Sequence, residues 1–486
     1  MSTADASRLS MEEKRALLRR LLHDRAARPR QEYPLSHGQR ALWFLHQLEP
    51  DSTAYNVLFA VRVRSVLDVD ILRSALQTLT DRYTSLRTTF EDRGGEPIQV
   101  VHRQWPVALA VTDASGWAED RLYREVSREA YRPFDLEKGP LFRGTIFART
   151  PEDHVLLFAV HHIIGDFWSL VLLMSDLRRI YLADSHGEQV HLPPLSVQYA
   201  DYVRWQREML AGGEGERLWQ YWSRQLAGDL PRLNLPTDRP YPATPTDRGG
   251  AAVFPIDDGL SLAVREFARA EGVTLFTVLL AAWQVLLYRY TRQADILVGS
   301  PAAGRGKRGF EQIFGLLTNM IVLRADLSGN PQFRDFLQQV RQTVLDGLDH
   351  QDYPFSLLVE RLQPIRDPSR PPIYQAAFLM EKSHLLEEQG AAALMMGQSG
   401  ATWELGGLKM EPFGLRAEST PFEISLIVED GAGRLAGCIQ YNTDLFEETT
   451  VQRLARGYVQ ILAAITTDPQ QRVARITLLP DAERSR

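Results

Sequence analysis

The sequence of 486 residues holds one cysteine, Cys438. An intramolecular disulfide and any cysteine-based metal cluster are thereby excluded, which fits a reducing compartment such as the cytoplasm. Cys438 itself reads as a small apolar residue in a strand. An excess of positive charge is also lacking. Lys and Arg number 55 against 61 Asp and Glu, and the net charge is −6. The basic clusters Arg19-Arg20 and Arg28 with Arg30 are short and lie near the amino end, so no basic stripe for nucleic acid is present. The first 30 residues are polar and charged and lack the apolar centre of a secretory signal. A membrane-spanning run is missing too. The most apolar stretch, Val273 to Tyr288, carries Thr274, Thr277 and Gln284 and is short of the ~20 residues that cross a bilayer. It predicts a buried helix in a chain with no membrane partner.

What is present is an ordinary globular composition, 44% hydrophobic and 24% charged, in a chain too long for one core, since single cores stop growing at about 250–300 residues. Two lobes are expected. Met11 to Arg25 places Leu17, Leu18, Leu21 and Leu22 in a narrow stripe on a charged helix, which docks either on its own body or on a partner. Ala54 to Val63 alternates as a strand. Val69 to Tyr83 follows with Leu72, Leu76 and Leu79 at helical spacing. The order recurs where the apolar run Val155 to Ile164 leads through Gly165 and Asp166 into the helical pattern Trp168 to Tyr181. Pro231 to Gly250 holds five prolines and ends in two glycines, a composition that resists both helix and sheet. It marks the interlobe linker. Beyond it come a helix around Leu262 to Ala270, the buried helix, a strand at Ile296 to Gly299 and a helix from Phe333 to Leu348. Ala391 to Gly400 reads as a flexible loop. The layering is mixed α/β throughout.

The sharpest chemical signal is His161-His162-Ile163-Ile164-Gly165-Asp166, two imidazoles and a carboxylate where a strand turns into a helix. An imidazole titrates near neutral pH, so it can take a proton from an amine or stabilise a developing oxyanion. Adjacent residues on a strand point to opposite faces, so one histidine faces a given cavity and the other is structural. A metal site would need two or three ligands converging on one side, which HHxxxD does not supply by itself.

The stretch HHIIGDFWS resembles the HHxxxDG signature of condensation domains in nonribosomal peptide synthetases. Further segments resemble other motifs of that family in order: SHGQRALWFLHQL at Ser36 to Leu48, RYTSLRTTF at Arg82 to Phe90, YADYVRWQ at Tyr199 to Gln206, ILVGSPAAGR at Ile296 to Arg305, GLLTNMIVLR at Gly315 to Arg324, HQDYPF at His350 to Phe355 and RDPSRPPIYQAAF at Arg366 to Phe378. The resemblance implies an α/β fold of two chloramphenicol-acetyltransferase-like lobes in a V-shaped pseudo-dimer with a central tunnel. Two carrier proteins, donor and acceptor, would insert phosphopantetheine arms from opposite ends, or coenzyme A would bring a starter donor. The domain itself would bind no cofactor and no metal. It would join a fatty acyl, polyketide or peptidyl thioester to the amine of a carrier-bound aminoacyl unit.

By the same resemblance His162 is the catalytic residue and His161 its structural neighbour, with Asp166 and Arg305 as a buried interlobe ion pair. Gly165, Phe167, Trp168, Ser300 and Asn319 are expected along the tunnel. Arg40, Arg82 and Arg87 either support the site or solvate a surface, and Trp43 belongs to the core. Phe167 departs from the glycine that ends the family signature, and Tyr83 from a histidine. A ring at 167 that reached into the tunnel would favour an acyl over an aminoacyl donor; an outward ring would not. The expected organisation is a leader or docking helix at 1–30, a first lobe at 31–230, the linker at 231–250, a second lobe at 251–475 and the start of a linker to a downstream adenylation domain at 476–486. Excised, such a domain is expected to be monomeric. The rival readings are an epimerisation domain, which shares the fold and signature but abstracts an α-proton, and a non-catalytic domain that binds carriers or recruits a partner, for which loss of the second histidine is expected.

Overall fold

A computed structural model describes residues 30–188, 190–243, 246–364, 370–382, 402–431 and 434–478. The leader stretch, the loop at 391–400 and residues 479–486 of the expected downstream linker lie outside them.

Strand and helix alternate along the chain as its apolar period switches between two and 3.6. The first half runs β1 (Gln31–Pro34), α1 (His37–Leu48), β2 (Asn56–Val63), α2 (Val69–Arg82), β3 (Thr88–Arg93), β4 (Glu96–Val101), β5 (Leu109–Asp113), α3 (Glu119–Ala130), β6 (Phe142–Thr150), β7 (Asp153–His161), α4 (Phe167–Ser185), α5 (Tyr199–Ala211) and α6 (Gly213–Gln225). The second half runs β8 (Gly249–Ile256), α7 (Asp258–Ala270), α8 (Leu275–Thr291), β9 (Asp295–Ala302), β10 (Asn319–Asp326), α9 (Phe333–Asp349), α10 (Phe355–Leu362), β11 (Ala376–Lys382), β12 (Trp403–Leu405), β13 (Leu408–Pro412), β14 (Ile424–Gly431), β15 (Arg434–Asn442) and α11 (Glu448–Thr467). Helix starts follow local chemistry. Ser36 Oγ accepts from Gln39 N while Gln39 Oε1 accepts from Ser36 N, a reciprocal cap on α1. Asp68 caps α2 through the amides of Asp70 and Ile71.

Two six-stranded sheets result, ordered β12-β13-β2-β7-β6-β5 and β10-β9-β11-β14-β15-β8, with a small sheet β1-β4-β3 beside the first. Each large sheet has its own apolar core. Helix α8, the expected buried helix, is enclosed from Thr277 through Leu287 in the second core. Among the described residues no single helix is long and apolar enough to cross a membrane.

The structure differs from the sequence reading in two places that position the site. The strand expected to reach Ile164 stops at His161, because Ile164 N bonds back to His161 O and Gly165 N to His162 O. Ile163 and Ile164 are buried within this turn rather than in a strand, and an apolar run by itself does not separate the two. The chain also exchanges material between the lobes more than a break at 231–250 implies. Before that stretch, α6 packs Leu218 and Trp222 into the second core. After it, Phe310, Ile313, Phe314, Leu316 and Leu317 pack into the first core, and β13 pairs with β2 at Met410↔Val63. The described part of the proline-rich stretch contains no helix, and regular structure resumes at β8.

One buried ion pair fastens the crossing made by residues 310–318. Asp166 caps α4 and is 1% exposed. Its Oδ1 accepts from Ser169 N at 3.0 Å, Ser169 Oγ at 2.8 Å and Arg305 Nη2 at 2.8 Å. Its Oδ2 accepts from Arg305 Nη1 at 2.8 Å and from Leu317 N, Thr318 N and Thr318 Oγ1 at 3.1 Å each. Burial, the largest influence, raises the carboxyl, but the charge and hydrogen bonds of Arg305 and the hydrogen bond of Ser169 outweigh it and hold the group at about 2. A carboxylate lowered on folding contributes stability above its unfolded value of about 4, and that contribution is lost as pH falls through about 2. Arg305→Ala and Asp166→Ala are expected each to cost about 3–5 kcal/mol by leaving one buried charge unpaired. Thermal melts of both variants, and of the parent between pH 5 and pH 2, check this. Variants that melt with the parent would show that the crossing does not depend on the pair.

Candidate active site

The two adjacent histidines have opposite environments because strand β7 alternates its faces. His161 turns inward. It is buried, its Nδ1 accepts from Ile163 N at 3.1 Å, and its ring meets the edges of His46 and Phe134. Burial above all, with the neighbouring His46, His162 and Arg143, lowers its basicity to about 3, so it stays a neutral packing group at any working pH. His162 turns the other way and borders a cavity of about 1790 Å³. Its Nδ1 lies 2.9 Å from Gly165 O. A carbonyl can only accept, so Nδ1 carries the proton and Nε2 is left with a lone pair. The turn that ends β7 therefore fixes the tautomer as well as the position.

A second set of hydrogen bonds holds this turn from outside. Gln39 Nε2 donates to Ile163 O at 3.1 Å. Tyr199 OH donates to Leu316 O at 3.0 Å and lies 2.8 Å from Ser36 Oγ. Gly315 has no room for a side chain, since a Cβ there would stand 2.0 Å from Tyr199 Cδ2. The cap of α1, the turn of β7 and the crossing segment thus form one network around the base of His162. The S-x-x-Q spacing at Ser36 and Gln39 is a sequence signal that would have found this cap. Tyr199 gave no comparable sign, because its partners lie 117 and 163 residues away.

Both lobes wall the cavity, His162, Arg40 and Tyr55 from the first and Asn319, Tyr374 and Ser425 from the second. Of the five residues expected along a tunnel, only Asn319 borders it. Its amide nonetheless serves the fold, donating to Gln351 O and Tyr353 O and accepting from Phe355 N. Ser300 is buried and donates to Phe378 O. The Trp168 indole donates to Glu311 O at 3.0 Å and its ring lies under the Arg305 guanidinium. Gly165 provides space rather than conformational freedom. Its φ is not positive, and a Cβ there would come 2.8 Å from Phe314 Cε1. Phe167 also falls outside the cavity wall. As the first residue of α4 it has an ordinary helical backbone, so nothing at this position requires glycine.

The arginines divide as well. Arg82 pairs with Asp176, which also accepts from Tyr83 OH, and Arg87 donates to His102 O, so both are structural. Arg40 borders the cavity, and Trp43 is core. Sequence reasoning missed Tyr55. Strand pairing of Asn56 with His161 puts Tyr55 opposite His162 on one face, and Tyr55 O accepts from His162 N at 2.9 Å. No local pattern encodes that register.

Comparison with known proteins agrees with this architecture. A family model described as Condensation domain matches residues 29–486. A component of the linear gramicidin synthase of Brevibacillus parabrevis is 39% identical over 460 residues, covering 93% of this chain and 6% of that protein. The chondramide synthase cmdD of Chondromyces crocatus is 36% identical over 457 residues, covering 93% and 11%. The chain therefore spans only a small part of these relatives. Among solved structures, the X-domain from teicoplanin biosynthesis superposes with a TM-score of 0.80 at 28% identity, covering 93% of this chain and 99% of that one. A four-domain nonribosomal peptide synthetase bound to AMP and glycine superposes with a TM-score of 0.84 at 24% identity, covering 93% and 34%, which speaks to the chloramphenicol-acetyltransferase-like fold. With its family signature matched over nearly the whole described chain and its lobes superposing on those of its relatives, this chain belongs to the condensation domains of nonribosomal peptide synthetases, acyltransferases that form amide bonds.

Proposed function

We propose that this domain joins a carrier-bound acyl thioester to the amine of a carrier-bound aminoacyl unit, with His162 as the group that handles the proton. The reading rests on one observation above the rest: His162 borders a cavity walled by both lobes, with Nδ1 committed to Gly165 O and Nε2 left as the basic nitrogen. In the step we envisage, the acceptor amine attacks the thioester carbonyl. The C–N bond forms, Nε2 takes the proton that nitrogen must lose, and the C–S bond breaks as that proton passes to the leaving thiolate. Once Nε2 has taken that proton, its N–H can also face the tetrahedral oxyanion. His161, neutral and packed, takes no part. Asp166 and Arg305 act by holding the turn.

In this reading the lobes form a V with a tunnel through it, and phosphopantetheine arms of a donor and an acceptor carrier enter from opposite ends. Coenzyme A replaces the donor carrier if the unit is a starter. The donor is a fatty acyl, polyketide or peptidyl chain. An adenylation domain follows in the same polypeptide, and the reaction takes place in the cytoplasm, where the lone, buried Cys438 meets no oxidant. Epimerisation would use the same imidazole to remove an α-proton, and a recruiting role would not need it. Retention of His162 on the cavity favours chemistry over recruitment.

His162→Ala is expected to lower amide formation by about 10² to 10⁴-fold without lowering the melting temperature, read by intact mass of the acceptor carrier after incubation with loaded donors. Near-parental product from the variant removes His162 from the chemistry, and a D-configured acceptor with no mass gain from the parent points to epimerisation. Phe167→Gly is expected to leave the preference between acyl and aminoacyl donors of matched length unchanged, because the ring does not border the cavity. A shifted preference would return Phe167 to the donor path. Chelator is expected to be harmless, since the described residues contain no group of three or more His, Cys, Asp or Glu placed to hold a metal. Activity lost to chelator and restored by zinc overturns that.

A further inference from the structure

Among the polar side chains that wall the cavity, two groups of neutral ones contrast. Gln206, Thr318, Asn319, Gln351, Ser356 and Gln375 are committed to protein partners. Tyr55, Tyr374, Ser425 and Gln440 also border it, yet among the described residues their side chains form no hydrogen bond. Ser425 is the most demanding of the four. It is 2% exposed, and its Oγ is sealed from water without a partner. A buried hydroxyl left unpaired is a cost that native interiors seldom keep without a use.

The four groups come from both lobes and lie near one another. Ser425 on β14 stands directly opposite Gln440 on β15, so their side chains share a face. Tyr374 leads into β11, which runs beside β14 with Ala377 opposite Ser425. Its ring is fixed between Phe355 at 5.2 Å and Phe422 at 5.8 Å. The sheet makes room for that ring at Gly299, where a Cβ would stand 2.2 Å from Tyr374 Cε2. Tyr55 reaches in from the first lobe, opposite His162. Burial raises both phenols, Tyr55 to about 12, and each has the other or a carboxylate as its next neighbour in charge, so both remain O–H donors at neutral pH.

We infer that Tyr55, Tyr374, Ser425 and Gln440 form a specificity subsite beside His162 that selects an acyl unit carrying a neutral hydrogen-bonding group, a hydroxyl or a carboxamide. The inference rests on the amide-forming reading above and adds the class of substrate. Two phenols offer donors, Gln440 offers both senses and the serine hydroxyl offers either. None of the four is charged. A site built this way penalises an isostere that lacks the polar group, because its own groups then stay unpaired. One subsite can read either of the two units, so the chemistry is shared and the source is decided by experiment.

The experiment compares isosteric pairs, threonyl against valyl and asparaginyl against leucyl, as pantetheine thioesters, first as acceptors with one fixed donor and then as donors with one fixed acceptor. The parent is expected to favour the polar member by at least about tenfold in kcat/KM in one arm only. Ser425→Ala, Gln440→Leu and Tyr374→Phe are each expected to reduce that ratio by about three- to tenfold, with melting temperatures confirming that the variants fold. A parent ratio near one in both arms overturns the inference. So does an equal loss for both members of a pair, which would mean that these groups hold a part common to all substrates. Melting-temperature shifts with the corresponding unreactive pantetheine amides give the same comparison without turnover. Discrimination there in a parent that forms no amide would reject the condensation reading and keep the subsite, whereas amide formation without discrimination would do the reverse.

Discussion

A single carboxylate holds the two halves of this molecule in the relation that the site requires. Asp166 accepts seven hydrogen bonds within 3.1 Å, from its own helix start, from Arg305 and from the backbone and hydroxyl at 317–318. Each of these partners would be an exposed polar group or an orphan donor without it. The arginine brings the chain after β9, and the two amides bring the start of β10, so one residue of the first lobe fixes both ends of the segment that crosses from the second. A buried pair of this kind adds little net stability compared with apolar packing, but its geometry is hard to replace because each half is costly to strand.

Around that point, packing does the remaining positioning. Phe314 lies against Gly165, and Tyr199 lies against Gly315. Both glycines are therefore places where a neighbour's ring needs the space of a side chain. The aromatic ring from the crossing segment presses on the turn that carries His162, and the tyrosine of α5 presses on the crossing segment. The tautomer of His162 follows from the same turn, since Gly165 O is the partner of its Nδ1. Fold and chemistry meet in one loop of four residues.

The histidine pair shows how far environment rules over identity. His161 and His162 are consecutive and chemically equal, yet pleating sends one into a wall of aromatic rings and the other to the cavity. The first is driven neutral by burial and serves as packing. The second keeps a free ring nitrogen. The same division runs through the polar wall of the cavity, where residues such as Asn319 close hydrogen bonds within the fold while the buried Ser425 hydroxyl has no partner.

Local pattern determined a great deal here. The periodicities of Val69 to Tyr83 and Phe333 to Leu348 give helices within about a turn of those found, the apolar enclosure of α8 follows from its composition, and HHIIGD marks the turn that bears the histidines. The motif order carried the pairing of Asp166 with Arg305, which composition and spacing would not have found across 139 residues. Tertiary structure alone decided the rest. That α6 joins the second core before the proline-rich stretch, and that β13 returns to the first sheet, depend on which apolar faces remain uncovered after folding. Phe167, Trp168 and Ser300 do not border the cavity, because a side chain's direction is set by helix phase and strand register, quantities that a one-residue shift reverses. Tyr55 entered the site for the same reason, by standing opposite His162 just before β2, about a hundred residues away in sequence.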